Sequence, residues 1–276
     1  MSQGVKKSRI ALFSLLAFGY AFLYGPIVSL MIYSFNESRL VTVWGGWSTK
    51  WYGELMHNQQ ILDAAWLSLK IAAISASFAV VFATLAAMAL VRYKRFRGRG
   101  SLLIMLTAPL VMPEVILGLS LLLLFVAMSE WLGWPAGRGQ TTIIIAHMTF
   151  AIAYVTVVVR SRLAHFDFSL EEAAMDLGAK PVKAFFTITL PLISPALIAG
   201  WLLAFTLSLD DLVVASFVSG PGSTTLPMVV YSSVRLGVSP QINALATIIV
   251  TLVSLAVAVA GYVFYRQEKQ RLKSLQ

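Results

Sequence analysis

Six long apolar runs dominate this sequence and leave few folds open to it. They cover residues 10–35, 64–91, 101–128, 141–159, 191–214 and 242–265. A helix of about 20 apolar residues crosses the hydrocarbon core of a bilayer, and a helix satisfies its own backbone hydrogen bonds there. We therefore predict an all-α, polytopic membrane protein with six transmembrane helices, forming a single transmembrane domain over residues 1–276.

The composition excludes several classes of function. The chain is 58% hydrophobic and only 12% charged, whereas soluble domains are about one-quarter charged. It contains no cysteine, and its three histidines lack the spacing of metal ligands. It also has no glycine-rich phosphate loop followed by lysine, so it does not bind ATP in that manner. The sequence predicts no metal, no cofactor and no enzymatic activity in this chain.

The positive charge of the chain indicates its orientation in the membrane. Sixteen of the 21 lysine and arginine residues lie before the first run, between the second and third, between the fourth and fifth, or after the sixth. Basic residues concentrate on the cytosolic side of membrane proteins. Both termini are therefore predicted to be cytosolic, and residues 36–63 and 215–241 to be extracytoplasmic loops. The net charge of +9 then reflects topology and does not indicate nucleic-acid binding.

The polar segment at residues 160–190, between the fourth and fifth runs, has the pattern of a folded loop. Ser169 and Glu172 have the spacing of a capping box at a helix start. Gly178 stands where a helix C-terminus favours a left-handed residue, and Pro181 suits the first turn of another helix. The segment is predicted to form two short cytosolic helices joined at the glycine.

Three acidic residues occur where the surroundings are apolar. Glu114 follows Pro109 and Pro113, which should kink the third span, and Asp210 and Asp211 lie near the outer end of the fifth. Helical geometry places all three in the outer half of the membrane or just beyond it. Unpaired acids there suit a cationic substrate. In the alternative interpretation, the aspartates cap an outer loop and Glu114 bonds to a neighbouring helix.

Both predicted outer loops are less polar than ordinary loops. The first carries Trp44, Trp47, Trp51 and Tyr52, which suit either an aromatic belt at the membrane interface or a docking surface for an extracytoplasmic partner. The second contains a Gly-Pro-Gly turn at residues 220–222 and is apolar enough to fold back over the exit of a path.

Several strings resemble one family of transport proteins. Residues 172–191 read Glu-Ala-Ala, three residues, Gly, nine residues, Ile, one residue and Leu-Pro, a pattern that resembles the coupling loop of ABC-importer permeases. Residues 38–44, 108–116 and 207–222 are similar to the permeases of bacterial spermidine/putrescine importers, and most similar to the second permease of the putrescine system. Glu114, in place of an expected aspartate, leaves the choice between putrescine and spermidine open.

The resemblance implies half of the translocation path of a type I importer in the bacterial inner membrane. The implied partners are a second homologous permease, two ATPase subunits that bind ATP and Mg, a periplasmic polyamine-binding protein and membrane lipid. Glu114, Asp210 and Asp211 would line the substrate path. The residues implied to couple to the ATPase are Glu171, Glu172, Ala173, Ala174, Asp176, Gly178, Ala179 and Pro181.

Two other functions stay open at this point. The chain could be an importer permease for another solute, although the three acids disfavour an anion. It could also be an ion-coupled carrier that uses Glu114 and Asp210 as a titrating relay. The second alternative leaves the Glu-Ala-Ala segment without a role.

Overall fold

The computed structural model describes residues 2–40, 43–93, 95–236 and 239–274, and these form an almost entirely helical protein. Within these ranges, the one β-type pairing is an isolated antiparallel bridge between Asn36 and Trp47. The predicted all-α class is confirmed. The helices are α1 (Ser2–Tyr33), α2 (Lys50–His57), α3 (Gln59–Arg92), α4 (Arg99–Val111), α5 (Glu114–Leu132), α6 (Gln140–Ala164), α7 (Ser169–Asp176), α8 (Pro181–Ala184), α9 (Leu190–Asp210), α10 (Val213–Val218), α11 (Leu226–Leu236) and α12 (Pro240–Ser274), with a π-helical segment (Phe185–Thr189) between α8 and α9.

The chain divides into two compact units, of which the first comprises Met1–Leu62 and Val230–Gln276. Here α1 and α2 pack against α12. The buried Asn36 organises the connection after α1, because its Oδ1 accepts the Gly45 N–H at 2.8 Å and its carbonyl accepts the Trp51 indole N–H at 2.6 Å. Trp51 is buried, whereas Trp44 and Trp47 are exposed. Trp51 therefore belongs to the interior of this unit and not to an aromatic belt or a docking surface.

The second unit, Asp63–Val229, is built around α6. Helices α4, α9 and α10 pack against α6, and α10 also packs against α5. A face of fully buried alanines on α3 contributes to the same core, since small residues let helices approach closely. Gly200 shows how tight the α6–α9 crossing is, because a Cβ there would lie 2.9 Å from Val155 Cγ1.

The third predicted span is broken into two helices. Met112 and Pro113 are extended, with ψ of 137° and 136°, so α4 ends at Val111 and α5 begins at Glu114. Proline disfavours the helical conformation in the residue before it and has no N–H to continue the ladder. Pro109, by contrast, lies inside α4. The prediction of one kinked span over residues 101–128 is therefore wrong.

The number of spans is correspondingly approximate. Among the described residues, five helices are long and apolar enough to cross a membrane. The sixth predicted run lies in α12, of which Pro240–Leu255 counts as a shorter apolar helix. The five helices are Leu12–Tyr33, Gln59–Arg92, Glu114–Leu132, Gln140–Ala164 and Pro181–Asp210.

The two segments predicted as outer loops also contain helices. Residues 36–63 contain α2 and the first turn of α3, and residues 215–241 contain most of α10 and all of α11. Val214, Ala215 and Val218 of α10 are buried because this short helix packs between α5 and α6. The apolar character noted in the sequence is thus explained by burial within the second unit.

Candidate functional site

The three acids singled out in the sequence line one cavity of about 420 Å³ in the second unit. We call it the acidic cavity. Its walls are the α4–α5 break with Glu114, the side chains of Phe150 and Tyr154 on α6, and the α9–α10 break with Asp210 and Asp211. The lining contains no lysine or arginine. The arrangement offers carboxylates and aromatic rings to a ligand, both of which interact favourably with cations.

Helix breaks bring these acids together, where the sequence predicted them within continuous spans. Glu114 is the first residue of α5, and the positive end of the helix dipole stabilises its charge. Asp210 is the last residue of α9, where the dipole is negative and a cation is favoured. The cavity therefore combines the C-terminal end of one helix with acidic side chains.

Asp211 is already engaged by its own chain. Its Oδ1 accepts the Val214 N–H at 3.2 Å, and its Oδ2 accepts the Ala215 N–H at 2.7 Å. These bonds cap the start of α10, as the alternative interpretation of the aspartates expected. The same Oδ2 lies 3.1 Å from Nε2 of the fully buried His147, whose Nδ1 lies 2.6 Å from Ser208 Oγ.

Unlike Asp211, Glu114 and Asp210 are not held by other side chains of the described residues. Both side chains are exposed, and within the described residues neither makes an ion pair or a hydrogen bond to another side chain. Of the two adjacent aspartates, Asp210 is therefore the one available to a ligand. The cavity presents two free carboxylates and a third that is held by His147.

The Glu-Ala-Ala segment, residues 169–191, contains the predicted glycine junction. Gly178 has φ of +88°, in the left-handed region. Its N–H donates to Met175 O at 2.9 Å, and the Ala179 N–H donates to Ala174 O at 3.0 Å. This pair of bonds is a Schellman motif, and Pro181 opens α8, so the two short helices joined at a glycine are confirmed.

Two details of the segment differ from the prediction. Helix α8 is not separate from the fifth span, because the π-helical segment carries it directly into α9, and residues Pro181–Asp210 form one helical stretch of 30 residues. Pro191 lacks an N–H for the α ladder, and a π-turn beside a proline accommodates that loss.

The predicted capping box is also wrong. Ser169 is the first helical residue and makes no side-chain cap; its N–H instead donates to Asp167 Oδ1 at 3.0 Å. The hydroxyl and the backbone N–H of Ser169 lower the pKa of Asp167 below its usual value.

Most of the predicted coupling residues are accessible. Glu172, Ala173, Asp176, Gly178 and Pro181 are exposed, and Ala174 and Ala179 are half-buried. Beside them, Leu177 is 90% exposed.

Glu171 is the exception among these residues. It is buried and accepts hydrogen bonds from Arg92, with which it forms an ion pair, and from Thr189. It faces its own chain and is not accessible to another protein.

Sequence reasoning did not single out His147, Arg92 or Tyr154 as site residues. Arg92 counted only toward topology, and Tyr154 is one aromatic among many. His147 did carry a signal, since an ionisable residue inside an apolar run marks a functional position by default. Among the described residues, no group of three or more His, Asp or Glu side chains could hold a metal ion.

Comparison with known proteins identifies the family. The profile of the family described as "binding-protein-dependent transport system inner membrane component" matches residues 79–274. The chain belongs to this family. It is thus a multi-pass inner-membrane permease.

Individual relatives and one solved structure agree with this assignment. The chain is 61% identical over 262 residues to the putrescine transport system permease protein PotI of Escherichia coli K12, covering 95% of this chain and 93% of PotI. It is 45% identical over 249 residues to the spermidine/putrescine permease PotC of the same organism, covering 90% and 91%. A crystal structure of a bacterial ABC transporter involved in alginate import shares the fold, with a TM-score of 0.71 at 18% identity over 95% of this chain and 97% of that chain.

Proposed function

We propose that this permease forms half of the translocation path of an ATP-driven importer whose substrate is a polyamine, putrescine or spermidine. The observation that carries the proposal is the acidic cavity, in which Glu114 and Asp210 have no basic partner among the described residues. Two carboxylates in a cavity without lysine or arginine match the two ammonium groups of a diamine. The similarity to permeases of putrescine and spermidine systems supports the same substrate class.

The lining of the cavity supports a flexible dication in particular. Polyamines carry their charges at the ends of apolar methylene chains. Leu117, Leu207 and Val213 line the same cavity as the acids and give such a chain apolar contacts. Phe150 and Tyr154 offer ring faces to an ammonium group.

The assembly that we propose contains a second homologous permease, two ATPase subunits and a periplasmic polyamine-binding protein, all within the lipid of the bacterial inner membrane. ATP and Mg would be bound by the ATPase subunits and not by this chain. The exposed face of the Glu-Ala-Ala segment, with Glu172 and Leu177, would contact an ATPase. Both chain termini would then be cytosolic, as the distribution of basic residues favours.

The steps of transport would be divided between the ATPase subunits and the permease halves. Closure of the ATPase pair moves a rigid helical element such as α7 as a body. The permease halves would respond by exposing the acidic cavity alternately to the two sides of the membrane. This chain would break no covalent bond.

Transport by the complete complex in proteoliposomes tests the substrate class. Uptake of labelled putrescine and spermidine is compared with uptake of a neutral diol of the same length and of a dicarboxylate. We expect ATP-dependent uptake of the amines alone. Uptake of the diol or the dicarboxylate at a similar rate would exclude charge recognition by the acidic cavity, and uptake by this chain without ATPase would indicate an ion-coupled carrier.

A further inference from the structure

Glu171 stands apart from the other residues of the Glu-Ala-Ala segment because its carboxylate is buried. Its side chain is 7% exposed, and it receives the Arg92 guanidinium on both oxygens and the Thr189 hydroxyl on Oε1. Its neighbour Glu172 is exposed. The two adjacent carboxylates therefore face in different directions, one toward the chain and one away from it.

Glu171 and its two partners belong to three different elements. Glu171 lies in α7, Arg92 is the last residue of α3, and Thr189 is the last residue of the π-helical segment. The Arg92 guanidinium also lies over the ring of Phe168, 5.5 Å from its centroid, just before α7. A buried charge is retained only with good partners, and removing one of them leaves the other uncompensated. The cluster consequently holds the three elements together as one body.

We propose that Glu171 is an internal joint that transmits displacement of α7 to α3 and α9, and is not a contact to the ATPase. The proposal rests on the proposed function only in that an ATPase acts on the Glu-Ala-Ala segment. Thr189 directly precedes α9, whose 21 residues extend about 30 Å to Asp210 in the acidic cavity. Movement of α7 that is passed through Glu171 to Thr189 therefore reaches the cavity along a single helix.

A second connection runs through Arg92. It ends α3, a helix of 34 residues whose alanine face packs in the core of the same unit. A single nitrogen of the guanidinium, Nη2, donates to both carboxylate oxygens of Glu171, while the planar group lies over the ring of Phe168. Lysine at this position keeps the charge but not the planar group, so it separates rigid coupling from simple charge neutralisation.

The experiment measures solute imported per ATP hydrolysed by the complete complex in proteoliposomes, together with the amount of ATPase that co-purifies. Thr189→Val keeps the shape of the side chain and removes the hydroxyl donor, and Arg92→Lys removes the planar guanidinium. We expect each to lower the import per ATP by about tenfold, within the usual range for coupling between sites. Co-purification of the ATPase should stay at the level of the unmodified complex.

Two further variants complete the design. Thr189→Ser retains the hydroxyl and should restore import per ATP. Glu130→Gln removes an exposed carboxylate at the far end of α5 and should leave both measurements unchanged. Unchanged import per ATP in both Thr189→Val and Arg92→Lys would overturn the proposal. Loss of ATPase co-purification in these variants would also overturn it, because the cluster would then serve docking.

The ratio of solute imported to ATP hydrolysed can be measured for whichever solute the unmodified complex imports. Failure of the polyamine assignment would therefore appear in the unmodified complex. Failure of the joint would appear only as a difference between the variants.

Discussion

Nε2 of His147 lies 3.1 Å from Oδ2 of Asp211, although the two residues are 64 positions apart in the sequence. The contact joins α6 to the break between α9 and α10. Because Asp211 also accepts two backbone N–H groups at the start of α10, it is a structural residue, and Asp210 beside it is left to face the acidic cavity. The pair thus decides which of the two adjacent aspartates is held by another side chain of the described residues.

Neutralising the free acids should weaken substrate recognition. Glu114→Gln and Asp210→Asn each remove a charge that forms no ion pair with a basic side chain of the described residues. We expect each to reduce the apparent affinity for polyamine uptake by about tenfold or more, since a hydrogen bond to a charged group contributes about 1.5–3 kcal/mol. Concentration-dependent uptake by the reconstituted complex measures this.

Asp211→Asn is the matched control for these two variants. It should lower the thermal stability of the protein more than the other two do, because Asp211 holds α10 and His147. A pattern in which Glu114→Gln and Asp210→Asn transport like the unmodified protein would show that these acids have no role in recognition.

Removing the His147 ring should destabilise the second unit. His147→Ala leaves Asp211 and Ser208 without their buried partner, and loss of one member of a buried pair costs about 3 kcal/mol. Thermal unfolding in nanodiscs, followed by tryptophan fluorescence, measures the change. His57→Ala is the control, because His57 is exposed and bonds only to the Gly53 carbonyl of its own helix. Equal effects of the two substitutions would contradict the assignment of His147 as a buried link.

Gly178 should tolerate some side chains and not others. Its φ of +88° lies where a β-branched residue is strongly disfavoured and where asparagine is tolerated better. Gly178→Val should lose most transport while the binding protein keeps its own affinity, because the junction between α7 and α8 is distorted. Apart from its two chain neighbours, no atom of the described residues lies within 4 Å of the Cβ position, so the effect would arise from backbone conformation and not from a clash.

Gly178→Asn adds a side chain that tolerates positive φ, so it distinguishes the effect of backbone conformation from the effect of adding a side chain. This variant should retain most of the transport. Transport by Gly178→Val at the level of the unmodified complex would mean that this junction is not needed for coupling.

The start of α7 should depend on pH through Asp167. Its pKa lies below the usual 3.8 because Ser169 hydrogen bonds to the carboxylate. A lowered pKa means that the charged form stabilises the folded helix start. That contribution is present above the ordinary pKa and is lost as the pH falls through the lowered one.

Hydrogen exchange of the first α7 amides, corrected for intrinsic rates, should therefore show less protection at about pH 3 than near neutrality. Asp167→Asn keeps an oxygen acceptor without the titration and should remove most of the pH dependence. Protection that does not change with pH in the unmodified protein would contradict this role of Asp167.

Much of the fold could be predicted because it depends on local pattern. Apolar runs long enough to cross a bilayer must be helical wherever they lie in lipid, and the all-α class followed from that alone. The helix–glycine–helix junction could also be predicted, since Gly178 and Pro181 impose backbone geometry on their immediate neighbours. The same local rules gave a wrong prediction for residues 101–128, which they treated as one kinked helix, because a proline can cause either a kink or a break.

Contacts between distant positions could not be predicted in this way. Glu171 and Glu172 are chemically identical neighbours, and one of them is buried because it meets Arg92, 79 residues earlier, and Thr189. Asp210 and Asp211 are separated in the same manner by His147. The amino-acid sequence alone determined the helical class, the glycine junction and the presence of three acids in apolar surroundings, because these depend on backbone chemistry and hydrophobicity. The tertiary structure decided which acids are free and which are held, because burial and pairing depend on side chains that meet only after the helices have packed.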